Sequence, residues 1–113
     1  MALIEMNFVG DGIEQMPLFT YVTGKRASAT DSTLTFSQNY SNIFVVTFSE
    51  SASGTFNSIT FPEGCTHTEI ANVASGTVTS GRGMKLYDLH NVESGTSITL
   101  AWSAGYDVYI FSY

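Results

Sequence analysis

The chain has 113 residues, enough for one domain that would bury about two thirds of its surface on folding. Charged residues make up only 12% of it, and four Lys+Arg against ten Asp+Glu leave a net charge of −6. That balance excludes a nucleic-acid binder that works by neutralising phosphates, and 13% aromatics with so few charges exclude intrinsic disorder. The surface that Lys and Glu usually hold falls instead to 14 Ser and 14 Thr, close to a quarter of the chain.

Hydrophobic residues recur at a spacing of two almost throughout, which is the period of a strand and not of a helix. Leu3 to Val9 reads as a first strand. Asp11 to Met16 would make one helical turn at most before Pro17 stops it. Leu18, Thr20 and Val22 then alternate with Phe19, Tyr21 and Thr23, and Leu34 and Phe36 alternate with Thr33, Thr35 and Ser37. Ile43 to Phe48 is apolar on both faces, the mark of a strand covered on both sides. Thr55 to Phe61, Met84 to Leu89 and Thr96 to Trp102 continue the series. The last run, Tyr106 to Tyr113, sets Tyr106, Val108 and Ile110 on one face against Tyr109, Phe111 and Tyr113 on the other.

Turn clusters separate these runs, among them Pro62-Glu63-Gly64, Ser80-Gly81-Arg82-Gly83 and Ala104-Gly105. A Ser-Gly-Thr triplet recurs at 53–55, 75–77 and 94–96, with Gly suited to a positive-φ turn and Thr to opening the next strand. Eight or nine strands at roughly ten-residue spacing predict an all-β, single-domain antiparallel sandwich over residues 1–113. A jelly-roll-like arrangement is preferred to an immunoglobulin one, because one Cys and one Trp cannot make the Cys…Trp…Cys spacing.

No catalytic motif emerges. Cys65, His67 and Glu69 would share one face if their segment were extended, but no CxxC or HExxH spacing accompanies them. The segment reads as a polar loop after Pro62-Glu63-Gly64. Cys65 and His67 lie roughly 6.5 Å apart at Cα on a strand, too far for an easy nucleophile–base pair. Neither a metal, a cofactor nor an enzymatic activity is expected, and Cys65 and the histidines His67 and His90 receive no role. The single cysteine forms no internal disulfide. No stretch approaches the roughly 18 apolar residues of a membrane span, and Met1 to Val9 lacks the basic region of a secretory signal.

The aromatics carry more weight. Trp102 alternates with Leu100 and Ile98 and is read as core. Tyr109, Phe111 and Tyr113 back onto a face that is already apolar, so they need a second cover, for which another subunit is the favoured source. With Tyr87 they are the candidate interface or ligand-binding residues.

The leaderless start Met1-Ala2-Leu3-Ile4 opens a Ser/Thr/Gly-rich, lysine-poor β sequence. Leu86 to Leu100 has a strand–turn–strand form, and the chain finishes on the aromatic run Tyr106 to Tyr113. In these features it resembles the small all-β virion proteins of bacteriophages and prophages, such as fibre, tail-tip and head-decoration modules. The resemblance implies homo-oligomers, often trimers, that contact other virion proteins and sometimes a surface glycan. It also implies a protein folded in a cytoplasm without a signal peptide and used in the virion, outside the cell. The expected function is a non-enzymatic structural or adhesion module that self-associates through its aromatic sheet face. The alternative is a carbohydrate-binding sandwich with exposed tyrosines as stacking platforms.

Overall fold

In the computed structural model, which describes residues 18–77 and 79–113, the period-two pattern becomes eight antiparallel strands. These are β1 (Thr20–Ala27), β2 (Ser32–Thr35), β3 (Tyr40–Ser49), β4 (Phe56–Thr60), β5 (Thr66–Val73), β6 (Met84–Val92), β7 (Ser97–Trp102) and β8 (Tyr106–Ser112). They form a five-stranded sheet of order β1-β8-β3-β6-β5 and a three-stranded sheet of order β2-β7-β4. The predicted runs Leu3–Val9 and Asp11–Met16 lie outside the described residues.

The interleaving of the two sheets, 1-8-3-6 against 2-7-4, is that of a jelly roll with one strand displaced. In a jelly roll the fifth strand would extend the smaller sheet beside β4. Here β5 pairs with β6 instead, so β4 becomes an edge and the sandwich opens between β4 and β5. The expectation of a loop after Gly64 is corrected by this strand. Its burial pattern, exposed at its first five residues, is that of an edge strand, and an edge strand carries no core-facing alternation for sequence reasoning to find.

The core lies between the sheets and is built by one parity of each strand. Ile43 and Val45 of β3, Tyr87 and Leu89 of β6, Ile98, Leu100 and Trp102 of β7, and Tyr106, Val108 and Ile110 of β8 are all buried, with Leu34 and Phe36 beside them. Each fully buried side chain of this kind contributes roughly 1.5–3 kcal/mol from apolar area. The polar groups drawn in with them are satisfied. The Trp102 indole Nε1–H donates to Thr47 Oγ1 at 3.0 Å, and that hydroxyl donates to the Asp107 carbonyl at 2.8 Å. The Tyr106 hydroxyl lies 2.5 Å from Thr30 O, 2.7 Å from Ser32 Oγ and 3.0 Å from Leu100 O, tying β8 to the smaller sheet where Ser32 of β2 pairs with Leu100 of β7.

The Ser-Gly-Thr triplets divide. Gly76 and Gly95 adopt φ of 82° and 86°, as turns requiring glycine do, and Thr55 and Thr96 immediately precede β4 and β7. Thr77 opens no strand. Gly83 has a different reason to be glycine, since a Cβ there would sit 2.8 Å from Trp102 Cζ3.

Candidate functional site

Because β8 pairs with β1 on one side and β3 on the other, the outward parities of three strands fall into one aromatic field. The register places Tyr21 opposite Phe111 and Phe111 opposite Phe44, so three rings line up across β1, β8 and β3. Phe19, just before β1, closes the cluster with ring centroids 5.6 Å from Phe44, 6.5 Å from Phe111 and 5.3 Å from Tyr113. Tyr21 meets Phe111 at 6.0 Å and 70°, and Phe48 meets Tyr109 at 6.1 Å. Tilted and edge-on pairs at such distances contribute about 0.5–1.5 kcal/mol each beyond their buried area. Phe19, Phe44 and Phe111 leave a shallow hollow of about 290 Å³ between them.

These rings are not under cover among the described residues. Phe19 is 51% and Tyr21 58% exposed, and Tyr109 and Tyr113 are exposed too. Exposed apolar rings gathered on one face, more than scattered single ones, make it the candidate functional site.

Two polar clusters border it. At one end the Tyr113 hydroxyl donates to Asp88 Oδ1, and His90 Nε2 lies 3.0 Å from Asp88 Oδ2. His90 Nδ1 is 2.8 Å from Asn42 Oδ1, and Asn42 Nδ2 donates back to the Tyr113 carbonyl at 3.2 Å. The hydrogen bond to Asp88, with partial burial and the carboxylate's charge, pushes the Tyr113 phenol up to about 12. At the other end Arg26 Nε sits 2.7 Å from Glu50 Oε2 and 2.9 Å from Asp107 Oδ1, neutralising an Asp107 carboxylate that is itself buried. Those two carboxylates raise the Arg26 pKa, the Asp107 hydrogen bond most of all.

Of the four residues singled out from sequence, Tyr109, Phe111 and Tyr113 lie together on this face. Tyr87 does not. Its register position opposite Val45 turns it into the interior, where it is 4% exposed and meets the Phe61 ring at 5.2 Å. Burial, then the charge and hydrogen bond of Glu69, push its phenol up to about 12. Tyr87 is therefore not a surface platform. Phe19, Tyr21 and Phe44 were missing from the sequence-derived set. The two-sided apolarity of Ile43–Phe48 signalled Phe44, but no local signal places β1 beside β8.

Cys65 is half-buried, and desolvation raises its thiol pKa, which disfavours the reactive thiolate. His67 stacks on Phe61 with centroids 3.7 Å apart. No group of three His, Cys, Asp or Glu among the described residues is arranged to hold a metal ion. No family model matches the chain, and no curated protein or solved structure does either.

Proposed function

We propose that this chain is a non-enzymatic structural or adhesion module that associates with copies of itself through the aromatic outer face of its five-stranded sheet. The carrying observation is that Phe19, Tyr21, Phe44, Phe111 and Tyr113 form one linked ring cluster on the outward side of β1, β8 and β3, with the Phe48–Tyr109 pair on the same face. Rings pack well into rings, so such a face can meet a copy of itself. On the resemblance drawn from sequence, the setting is a phage or prophage particle, with other virion proteins as neighbours and a trimer among the assemblies to expect.

Light scattering on a size-exclusion column tests the association. A multiple of the 12.2 kDa chain mass is expected, falling to one chain in Phe111→Ser. A single-chain mass for the native protein at high concentration would sink the proposal.

A second reading, carbohydrate binding at the same face, is favoured by one feature: the exposed Tyr113 ring stands beside the hydrogen-bonding groups of Asp88, His90 and Asn42. A glycan array with Tyr113→Ala and Tyr109→Ala separates the readings. Binding lost in these variants supports it, and an array with no binding removes it.

A further inference from the structure

The displaced strand β5 leaves a lateral cleft on the other side of the larger sheet from the aromatic field. The cleft holds about 250 Å³ and runs between the β4 end, with Phe56 and Trp102, and the β5 end, with Asn72 and Ser75. Its polar centre is Lys85, which by parity with Tyr87 and Leu89 points into the sandwich; its side chain is 15% exposed. Lys85 Nζ lies 3.1 Å from Glu69 Oε1 and 4.9 Å above the centre of the Phe56 ring. Phe56 in turn meets Trp102 edge-on at 5.2 Å and 77°. Glu69 keeps 43% of its side chain open to solvent. The bulge between Glu69 and Ala71 sets Glu69 opposite Tyr87 and Asn72 opposite Lys85, so Asn72 lines the cleft and Glu69 stands beside it, against Lys85 Nζ.

Packing does not call for a cation here. An ion pair with one partner this open to solvent is screened and contributes little, so Lys85 and Glu69 are poorly explained as stabilisers of the fold. They are well suited to recognition. An ammonium has three donors, and Lys85 directs one to Glu69 and presents its charge to a ring face. A carboxylate accepts at about four positions, and Lys85 uses one. A donor and an acceptor 3.1 Å apart match two neighbouring hydroxyls, one accepting from Nζ while the other donates to the carboxylate. The paired charges cancel, so a charged ligand would leave one of them uncompensated. The part-exposed Phe56 suits the C–H face of a sugar ring, and a volume under the roughly 300 Å³ of drug-sized pockets admits one ring.

We propose that the β4–β5 cleft binds one pyranose residue of a neutral carbohydrate, held through vicinal hydroxyls by Lys85 and Glu69 beside Phe56, with the buried Trp102 behind that ring. This site lies behind the aromatic face and is independent of self-association and of sugar stacking on Tyr113. Trp102 is the chain's single tryptophan, so its fluorescence reports on the cleft directly. Titration with the methyl glycosides of galactose, glucose, mannose, fucose and N-acetylglucosamine should give a saturable, millimolar change with at least one of them. Lys85→Met should weaken that binding about tenfold or more while the melting temperature holds or rises, which a purely structural lysine would not do. Glu69→Gln should weaken it as well, and Tyr113→Ala should leave it unchanged. Three results would each overturn the proposal: no saturable change with any glycoside, undiminished binding in Lys85→Met, or binding of acetate or phosphate in place of the glycosides.

Discussion

The two sheets show opposite faces to their surroundings, although both are built from β-forming residues at the same spacing. On the three-stranded sheet, Thr33 meets Thr99 hydroxyl to hydroxyl at 2.9 Å, and Thr35 meets Ser97 at 2.7 Å. Those cross-strand pairs satisfy one another and water at once, and the face needs no further cover. On the five-stranded sheet the equivalent positions of β1, β3 and β8 carry Tyr21, Phe44 and Phe111. The difference teaches what the hydroxyl-rich composition does. Ser and Thr give one outer face a polar, mutually hydrogen-bonded surface, while aromatics that the core does not use are gathered on the other. A chain with 12% charged residues cannot protect both faces with lysine and glutamate, so it divides them by side-chain type.

Adjacent residues of β8 give the sharpest way to break that division. Ile110 is fully buried between the sheets, and Phe111 faces outward. Ile110→Ala should cost about 2–5 kcal/mol in urea unfolding, from lost transfer energy and the cavity left behind. Phe111→Ser should cost the single chain far less and instead abolish association. If the two substitutions destabilise a dilute, monomeric sample equally, the outer rings belong to the monomer's own core and the distinction fails.

Tyr106→Phe probes the inner side without making a cavity. It removes a hydroxyl placed against Thr30 O, Ser32 Oγ and Leu100 O and leaves buried polar groups unpartnered. A loss of about 1–3 kcal/mol is expected by denaturant titration, with oligomeric state unchanged.

This contrast of inner and outer faces was largely legible in the sequence, and the reasons differ by element. The alternation of Tyr106, Val108 and Ile110 with Tyr109, Phe111 and Tyr113 is local, so it survives any choice of neighbour. The assignment of Tyr87 to a surface platform went wrong because Leu86-Tyr87-Asp88-Leu89 has apolar residues at both parities; only pairing with Val45 decides which one faces in. Strand β5 was hidden for a related reason. An edge strand made of Thr66, His67, Thr68 and Glu69 offers no buried stripe to detect, and with it went the cleft that depends on its displacement. Strand partners separated by 80 or so residues, such as Arg26 and Asp107, leave no mark in local spacing.

Alkaline titration reads the two sides of the sheet in one experiment. Tyr87 on the inner side and Tyr113 at the outer rim both have phenols pushed up to about 12, the first chiefly by burial and the second chiefly by its hydrogen bond to Asp88. An unfolded tyrosine ionises near 10, so between pH about 10 and about 12 the folded chain holds protons that the unfolded chain releases. Stability contributed by these groups is therefore complete below pH about 10 and is lost as pH rises through 12. Ultraviolet titration should show Tyr87 and Tyr113 ionising late. Asp88→Asn should bring Tyr113 down and leave Tyr87 in place, and a shift of both would mean that the two sides are coupled.

The smallest effect is expected where the smaller sheet faces water. Thr99→Ala removes one partner of the exposed Thr33–Thr99 pair and leaves no buried group unsatisfied, because solvent reaches the remaining hydroxyl. The change in unfolding free energy should stay within about 0.2–1 kcal/mol, the range of a cross-strand pair, and the mass in solution should not move. Thr99→Phe should behave differently. It gives the polar face an aromatic of the kind that crowds the other sheet, and if rings on a flat β surface are what drives association, this variant should form larger assemblies than the native chain. An unchanged mass would show that a single ring is insufficient, and that the Phe19–Phe44–Phe111 cluster acts as a shaped surface and not as a sum of apolar residues.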